Sequence, residues 1–245
     1  MPPAQSVRLH AITVADATTA ALGGGGGGGD GNGAARSSGA VSTGGRSSGA
    51  IEMPSRTGTH PTFGLIPFRD LCAVVSEQAG YTIEEATPTE INRHRAIVDD
   101  VFRYAAVLPA PVGAVFRSPD VLKRWMELHY VSLTDALQFV EDRAVARVHA
   151  IRADGKDDDL EAGSDLAAAA AEAFRALRRR AVAALPLRLE QVTGLMLSGS
   201  FLVERDLWVE FERAVEEQHD AHHLIKFDVT GPWAPYDFVR MQFGG

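Results

Sequence analysis

The chain has 245 residues, enough for one large domain or two ordinary ones, and its 45% hydrophobic share supports a packed core. A formal charge of −8 argues against a nucleic-acid partner, which would call for a basic face. No apolar run is long enough to span a bilayer, and the amino terminus lacks the charged and apolar regions of a signal peptide. A cytoplasmic protein without a membrane partner is expected.

Residues 7–14 alternate apolar and polar and predict a first strand. From about 22 to 60 the chain is built of glycine, serine, alanine and a few arginines, too little apolar surface to offset ordering entropy, so a disordered insertion is expected there. Its seven consecutive glycines satisfy GxGxxG trivially, but no Gly-Lys-Ser/Thr and no helix start follow, which rules out a phosphate loop. Asp30-Gly31-Asn32-Gly33 lacks the further ligands and closing glutamate of a calcium loop. Order resumes near Thr62, with a second strand at 71–76 that holds the single cysteine, Cys72, among Leu71, Ala73, Val74 and Val75. One cysteine excludes an internal disulfide, and with no electropositive sequence neighbour it reads as a small buried hydrophobe.

Thr87-Pro88-Thr89-Glu90 combines a capping threonine, a proline at the first helical position and a glutamate at the third. The helix it opens carries Ile91, His94 or Arg95, Val98, Val101 or Phe102, and Ala105, and Pro109 and Pro111 are expected to end it. His94 borders the apolar face and reads as a structural histidine, since no partner ligand has recognisable spacing. A short strand at 112–116 follows. Ser118-Pro119-Asp120 then opens one helix with the stripe Leu122, Met126, His129, Leu133, Leu137 and Val140, flanked by Trp125.

Beyond that point the predicted order is strand 145–151, an acidic loop 154–165, and a helix carrying Leu166, Ala170, Phe174, Leu177, Ala181 and Leu185 that stops at Pro186. Strands at 187–192 and 195–203 flank a turn at Gly194. A helix capped by Asp206, carrying Leu207, Phe211, Val215 and His222, and a last strand at 224–230 complete the chain. This β-α-β-β-α-β order is that of a ferredoxin-like domain. The expected fold class is α+β in two domains: an N-terminal α+β unit at 1–143, interrupted by the insertion, and a C-terminal ferredoxin-like unit at 144–245.

Catalytic constellations fall short. His219 and His223 stand at i and i+4, but Asp220 replaces the glutamate of HExxH, no third ligand is evident, and the segment sits at a helix end. Ser198 and Ser200 read as alternate residues of a strand rather than a nucleophile elbow. Asp157-Asp158-Asp159 lies in a loop that cannot pre-organise an acid and a base, and Arg178-Arg179-Arg180 fan out around a helix as a solvated face. No catalytic, metal or cofactor-binding residue is expected.

The chain closes with Gly231-Pro232-Trp233-Ala234-Pro235-Tyr236-Asp237-Phe238-Val239. Two prolines bias their neighbours toward extended backbone, making an ordered strap that carries Trp233, Tyr236 and Phe238. These aromatics either close their own domain's core or meet a partner. The core role is expected for Trp233, its ring filling the gap between the last sheet and the helix from Asp206.

The strap resembles the C-terminal signature of the gas vesicle protein GvpL/GvpF family, a strand followed by Gly-Pro-Trp-x-Pro-Tyr-x-Phe. The run from Val107 to Phe116 (Val-Leu-Pro-Ala-Pro-Val-Gly-Ala-Val-Phe) is similar to the family's Val-Leu-Pro-x-Arg-Phe-Gly-Thr-Val-Phe, with Pro111-Val112 in place of its Arg-Phe pair. Phe201-Leu202-Val203-Glu204 before an acidic helix resembles the family's Tyr-Leu-Val-Asp. The blocks fall in the family's order and span roughly 63–239. The resemblance implies a non-enzymatic accessory protein that assembles the gas vesicle shell in contact with the small hydrophobic shell protein or other accessory proteins. Two other classes stay open: a cytoplasmic ferredoxin-like regulatory or ligand-binding protein unrelated to vesicles, and a metal-dependent hydrolase built on His219 and His223.

Overall fold

In a computed structural model of the chain, residues 6–15, 63–78, 86–153, 160–188 and 194–241 are described. The glycine- and serine-rich stretch at about 22–60 and the Asp157-Asp158-Asp159 run lie outside them, as does most of the predicted strand at 187–192. The described residues form a mixed α+β fold with five α-helices and two antiparallel sheets.

In the first sheet, β1 (Ser6–Val14), β2 (Gly64–Phe68), β3 (Leu71–Gln78) and β4 (Val107–Pro109) run in the order β2-β3-β1-β4, and β5 (Val115–Phe116) also pairs with β1. Helix α1 (Pro88–Phe102) covers one face; α2 (Pro119–Leu128) and α3 (Tyr130–Val140) cover the other. A sheet buried on both faces needs apolar residues at successive positions. Leu71, Ala73 and Val75 meet α2 and α3, while Val74 faces α1 and Cys72 is buried between them in sequence. A register shift between Leu9 and Ala11 lets β1 send Leu9 and Ile12 to one face and Ala11 to the other.

The second sheet has the order β7-β8-β6-β9, from β6 (Arg143–Arg152), β7 (Ala183–Pro186), β8 (Leu195–Glu204) and β9 (Ile225–Trp233). Helices α4 (Leu160–Arg178) and α5 (Trp208–Ala221) pack on one face through Ala170, Ala173, Leu177, Phe211 and Val215, against Val148, Phe201 and Ile225. A third cluster joins the halves: Ile97, Val98, Val101 and Phe102 of α1 meet Ala144, Ala234, Trp208 and Tyr236. Arg205 lies 4.1 Å from the centre of the Phe102 ring and donates to the Phe102 carbonyl at 2.8 Å.

Several expected boundaries move. Helix α1 ends at Phe102, well before Pro109, because 107–109 pairs with β1 as β4. The helix expected from Ser118 is broken at His129, whose φ of −107 and ψ of 10 are not helical; Leu122, Met126, Leu133 and Leu137 still reach one core across the break. Helix α4 starts at Leu160, inside the expected loop, and stops at Arg178. Residues 183–186 leave it to pair with β8, so β7 precedes its expected place. Asp206 lies in a 3-10 turn (Arg205–Leu207), and no side chain caps α5.

Candidate functional site

The capping box anticipated at Thr87 is present, with Glu90 N donating to Thr87 Oγ1 at 3.3 Å and Thr87 N to Glu90 Oε2 at 2.9 Å. The Thr87 backbone bond, helped by Arg8, holds the Glu90 carboxyl below its ordinary range. Arg8 on β1 meets Glu90 at 2.6 Å, which sets the start of α1 against the sheet. One turn on, His94 Nδ1 lies 3.0 Å from His10 Nδ1, and His10 Nε2 lies 2.9 Å from Ser76 Oγ. Burial, then the neighbouring charges of His94, Arg93 and Arg8, lowers His10 from 6.5 to about 3. Burial also lowers His94 to about 4, the Ala110 backbone opposing and Arg8 assisting. His94 also meets the Ala110 backbone, and its Nε2 is buried with no partner of regular hydrogen-bond geometry.

The strap closes over the face of the second sheet that α4 and α5 leave open. Trp233 still pairs with Val145 across β6, after a register shift. At Gly231 φ is +136, in the region that favours glycine, and an added Cβ would stand 2.6 Å from Val145 O and 2.8 Å from Trp208 Cη2. Trp208 belongs to two apolar clusters and supports the strap from beneath. Ala234 and Tyr236 join the α1 cluster, and Val239 and Met241 pack on the first sheet's core. Asp237 accepts two hydrogen bonds from Arg147, each 2.9 Å, and one from Ser200 at 2.8 Å. The strap thus ties both halves together.

Trp233 behaves differently from its neighbours. Ala234 is 1% exposed, yet Trp233 is 41% exposed, with its indole N–H donating to Thr230 Oγ1 at 3.2 Å. The ring does not fill the gap between sheet and α5, because Trp208 already occupies that ground. Trp233 instead walls a cavity of about 370 Å³ between the halves, which α1 lines with Ile91, His94, Arg95 and Asp99. Val112, Arg147 and Tyr236 complete it, and a second cavity of about 510 Å³ shares Arg147 and Trp233. Tyr236 Oη is buried with no hydrogen-bond partner. Its burial, with the Asp99 carboxylate nearby, pushes the phenol well above its ordinary pKa. Burial raises Asp99 as well, against the pull of Arg95 and Arg103.

The family model for gas vesicle synthesis protein GvpL/GvpF matches residues 46–165 and 160–240. The chain belongs to the gas vesicle GvpL/GvpF family. It is 27% identical over 183 residues to gas vesicle protein F2 of Halobacterium salinarum, covering 73% of this chain and 81% of that one. Identity is 28% over 185 residues to gas vesicle protein F of Haloferax mediterranei, covering 73% and 82%. The fold is similar to the crystal structure of the gas vesicle protein GvpF from Anabaena, with a TM-score of 0.69 at 11% identity over 98% of this chain and 100% of that one. It is also similar to GvpF from Microcystis aeruginosa, with a TM-score of 0.58 at 12% identity over 74% and 90%.

In this GvpL/GvpF chain the residues weighed for catalysis are scattered. Helix α5 ends at Ala221 and His222 has a non-helical backbone, so His219 and His223 share no helical face. Among the described residues no group of three or more His, Cys, Asp or Glu could hold a metal ion. Ser198 Oγ lies 2.8 Å from His149 Nδ1, a pairing missed from the sequence. Backbone amides committed to a strand ladder offer a poor oxyanion hole, so the pair reads as a cross-strand bond. No described helix is long and apolar enough to cross a membrane. Phe238 is partly buried within the strap, its N–H donating to the Pro235 carbonyl at 3.1 Å.

The polar residues that make the site were legible only as a pattern: Arg8 and His10, Arg147 and His149, Ser198 and Ser200 each stand two apart on a strand. That period places each pair on one face, but which partner crosses to meet it is a tertiary fact.

Proposed function

We propose that this protein acts in assembling the gas vesicle shell, without catalysing a reaction, by binding the small hydrophobic shell protein, other accessory vesicle proteins, or both. Its place of action is the cytoplasm, at the growing vesicle. Trp233 carries the reading. Its backbone is held by pairing with Val145 on β6 and by the buried Ala234 that follows, while its ring stands out beside a cavity, so contact with a partner orders little that is not already ordered. Tyr236 and Phe238 serve the strap itself, and Trp233 meets the partner. Family membership supports the vesicle role.

Two domains at 1–143 and 144–245, the second ferredoxin-like, fit this role, with the strap as the tie between them. Support comes from the β7-β8-β6-β9 order with both helices on one face. The test is deletion of the gene in its host, scored for buoyant, light-scattering vesicles. Loss restored by the intact gene is expected; undiminished vesicles in the deletion strain would overturn the proposal.

A further inference from the structure

An edge strand leaves one row of amides and carbonyls without a ladder, and proteins blunt such edges with short strands and prolines. Pro67 in β2, Pro109 in β4 and Pro186 in β7 mark the other sheet edges in this way, each inside a short strand. Pro186 faces away from β8: Leu187 N donates to Ser198 O at 2.9 Å, and hydrogen-bonded residues alternate along the ladder. Strand β9 is the exception. It runs for nine residues, pairs with β6 alone among the described strands, and has its proline, Pro232, next to its far end. At the start of its ladder Ala153 N donates to Leu224 O at 2.9 Å. By alternation Lys226, Asp228 and Thr230 turn their main-chain groups to β6, while Ile225, Phe227 and Val229 turn theirs outward. Of these outward groups, only the Ile225 amide has a backbone partner among the described residues, the His222 carbonyl at 2.8 Å.

We infer that this edge joins a second copy of the chain, β9 against β9, in an antiparallel pair centred on Phe227. A two-fold axis there sets Phe227 opposite Phe227, Val229 opposite Ile225, and Lys226 opposite Asp228 of the other copy. The charges select this register. Lys226 and Asp228 stand two apart on one face of β9, and within one chain they meet at 2.8 Å, so the edge carries no net charge to repel a copy. Read in reverse their order is inverted, so each charge meets its opposite across the axis. An axis at Asp228 would set Asp228 against Asp228, which is repulsive. An axis at Val229 would set Lys226 against Pro232 and Asp228 against Thr230, leaving both charges without a partner in the other copy. Centred on Phe227, the outward groups close hydrogen bonds between the Phe227 residues and from each Val229 amide to the Ile225 carbonyl opposite. The Ile225 amide, already engaged by His222, is not needed. The paired run stops at Val229, so Trp233 stays outside it. The axis stands perpendicular to the sheet, so both Trp233 residues fall on one face of the joined sheet. This pairing is independent of which vesicle protein Trp233 meets.

The test is sedimentation of the purified full chain over a range of concentrations, where a reversible dimer is expected. Lys226→Asp and Asp228→Lys each turn the attractive cross-strand pairs into repulsive ones, and each should weaken the dimer about tenfold. Mixing the two variants restores opposite signs at every crossing, so the mixture should dimerise as tightly as the unaltered chain. A charge pair confined to one chain could not be repaired in that way. Cysteine crosslinking reads the register. Lys226→Cys mixed with Asp228→Cys should oxidise to a linked dimer, because facing residues between hydrogen-bonded pairs lie about 4.5 Å apart at Cα. Asp228→Cys alone should link poorly, since its copies are diagonal neighbours about 7–8 Å apart. The one native cysteine, Cys72, is buried and does not compete. A chain monomeric at every concentration, a dimer indifferent to both charge variants, or a mixture no tighter than either variant alone would each overturn the inference. Faster linking of Asp228→Cys alone than of the mixture would overturn it as well. The side chains of Lys226 and Asp228 are 59% and 40% exposed, so the variants keep the fold, and far-UV circular dichroism checks this. Because the readout is self-association of purified protein, its failure is separable from failure of the vesicle assay.

Discussion

Replacing Gly231 by alanine tests whether the strap is clamped as described. The new methyl carbon would stand 2.6 Å from the Val145 carbonyl oxygen and 2.8 Å from Trp208 Cη2. Val145 is 0% exposed on β6, at the centre of its sheet, so that oxygen has nowhere to retreat. Trp208 touches two clusters and cannot swing without opening both. Backbone at φ +136 adds strain for any residue with a Cβ. Overpacking costs about 1–3 kcal/mol and the unfavourable backbone about as much again, so Gly231→Ala should lose roughly 4 kcal/mol. That is a large share of the ~5–15 kcal/mol typical of a folded protein. Urea denaturation followed by far-UV circular dichroism gives the loss directly. Adding Trp208→Leu removes one clash and leaves the other, so the double variant should fall short of additivity by about 1 kcal/mol. A Gly231→Ala loss below about 1 kcal/mol would refute the clamped geometry.

Asp237→Ala removes three accepted hydrogen bonds; with Arg147 partly exposed and able to rehydrate, a loss of about 2–3 kcal/mol is expected in the same assay. Stability should also fall with acid: His10 and His94 titrate near 3 and 4 when folded and at 6.5 when unfolded, so the unfolded chain takes up protons first. The stabilisation from these neutral rings is complete above about pH 6.5 and is lost as pH falls toward 4 and 3, roughly 3–4 kcal/mol for the pair between pH 7 and 5. Denaturation across that range checks it, and His94→Gln should flatten the slope. His219→Ala with His223→Ala should leave vesicle formation intact, since neither shares a helical face with the other; loss of vesicles together with stoichiometric bound zinc would contradict this.

Period carried most of the fold. The stripes of α1 and α5 and the alternation of β1 and β6 are local signals, so these elements sit near where their residues put them. Failures came where tertiary pairing overrode a local pattern. Residues 183–186 continue a helical stripe in sequence, yet leave the helix because β8 offers them a ladder. His129 interrupts a stripe whose spacing continues unbroken, and the two helices bend there to follow one core. At the site, the strap's order was written in its prolines. Which tryptophan it buries was not: Trp208 and Trp233 are equally apolar, and only the fold decides that the first lies beneath Gly231 and the second outside. His94 reads in the sequence as a structural histidine, but its partner does not: its Nδ1 lies 3.0 Å from His10 Nδ1, 84 residues away, and the ring is 2% exposed.

The most direct measurement is made on one variant, Trp233→Ala, in two ways. With the ring 41% exposed, the change should cost about 1–3 kcal/mol, against the 3–5 kcal/mol of a fully buried aromatic, and leave the protein folded. Denaturation of the purified variant and co-purification of the small hydrophobic shell protein with it should then separate stability from contact. A folded variant that loses the shell protein is the predicted result. A folded variant that retains it undiminished would contradict the assignment of Trp233 as the partner contact.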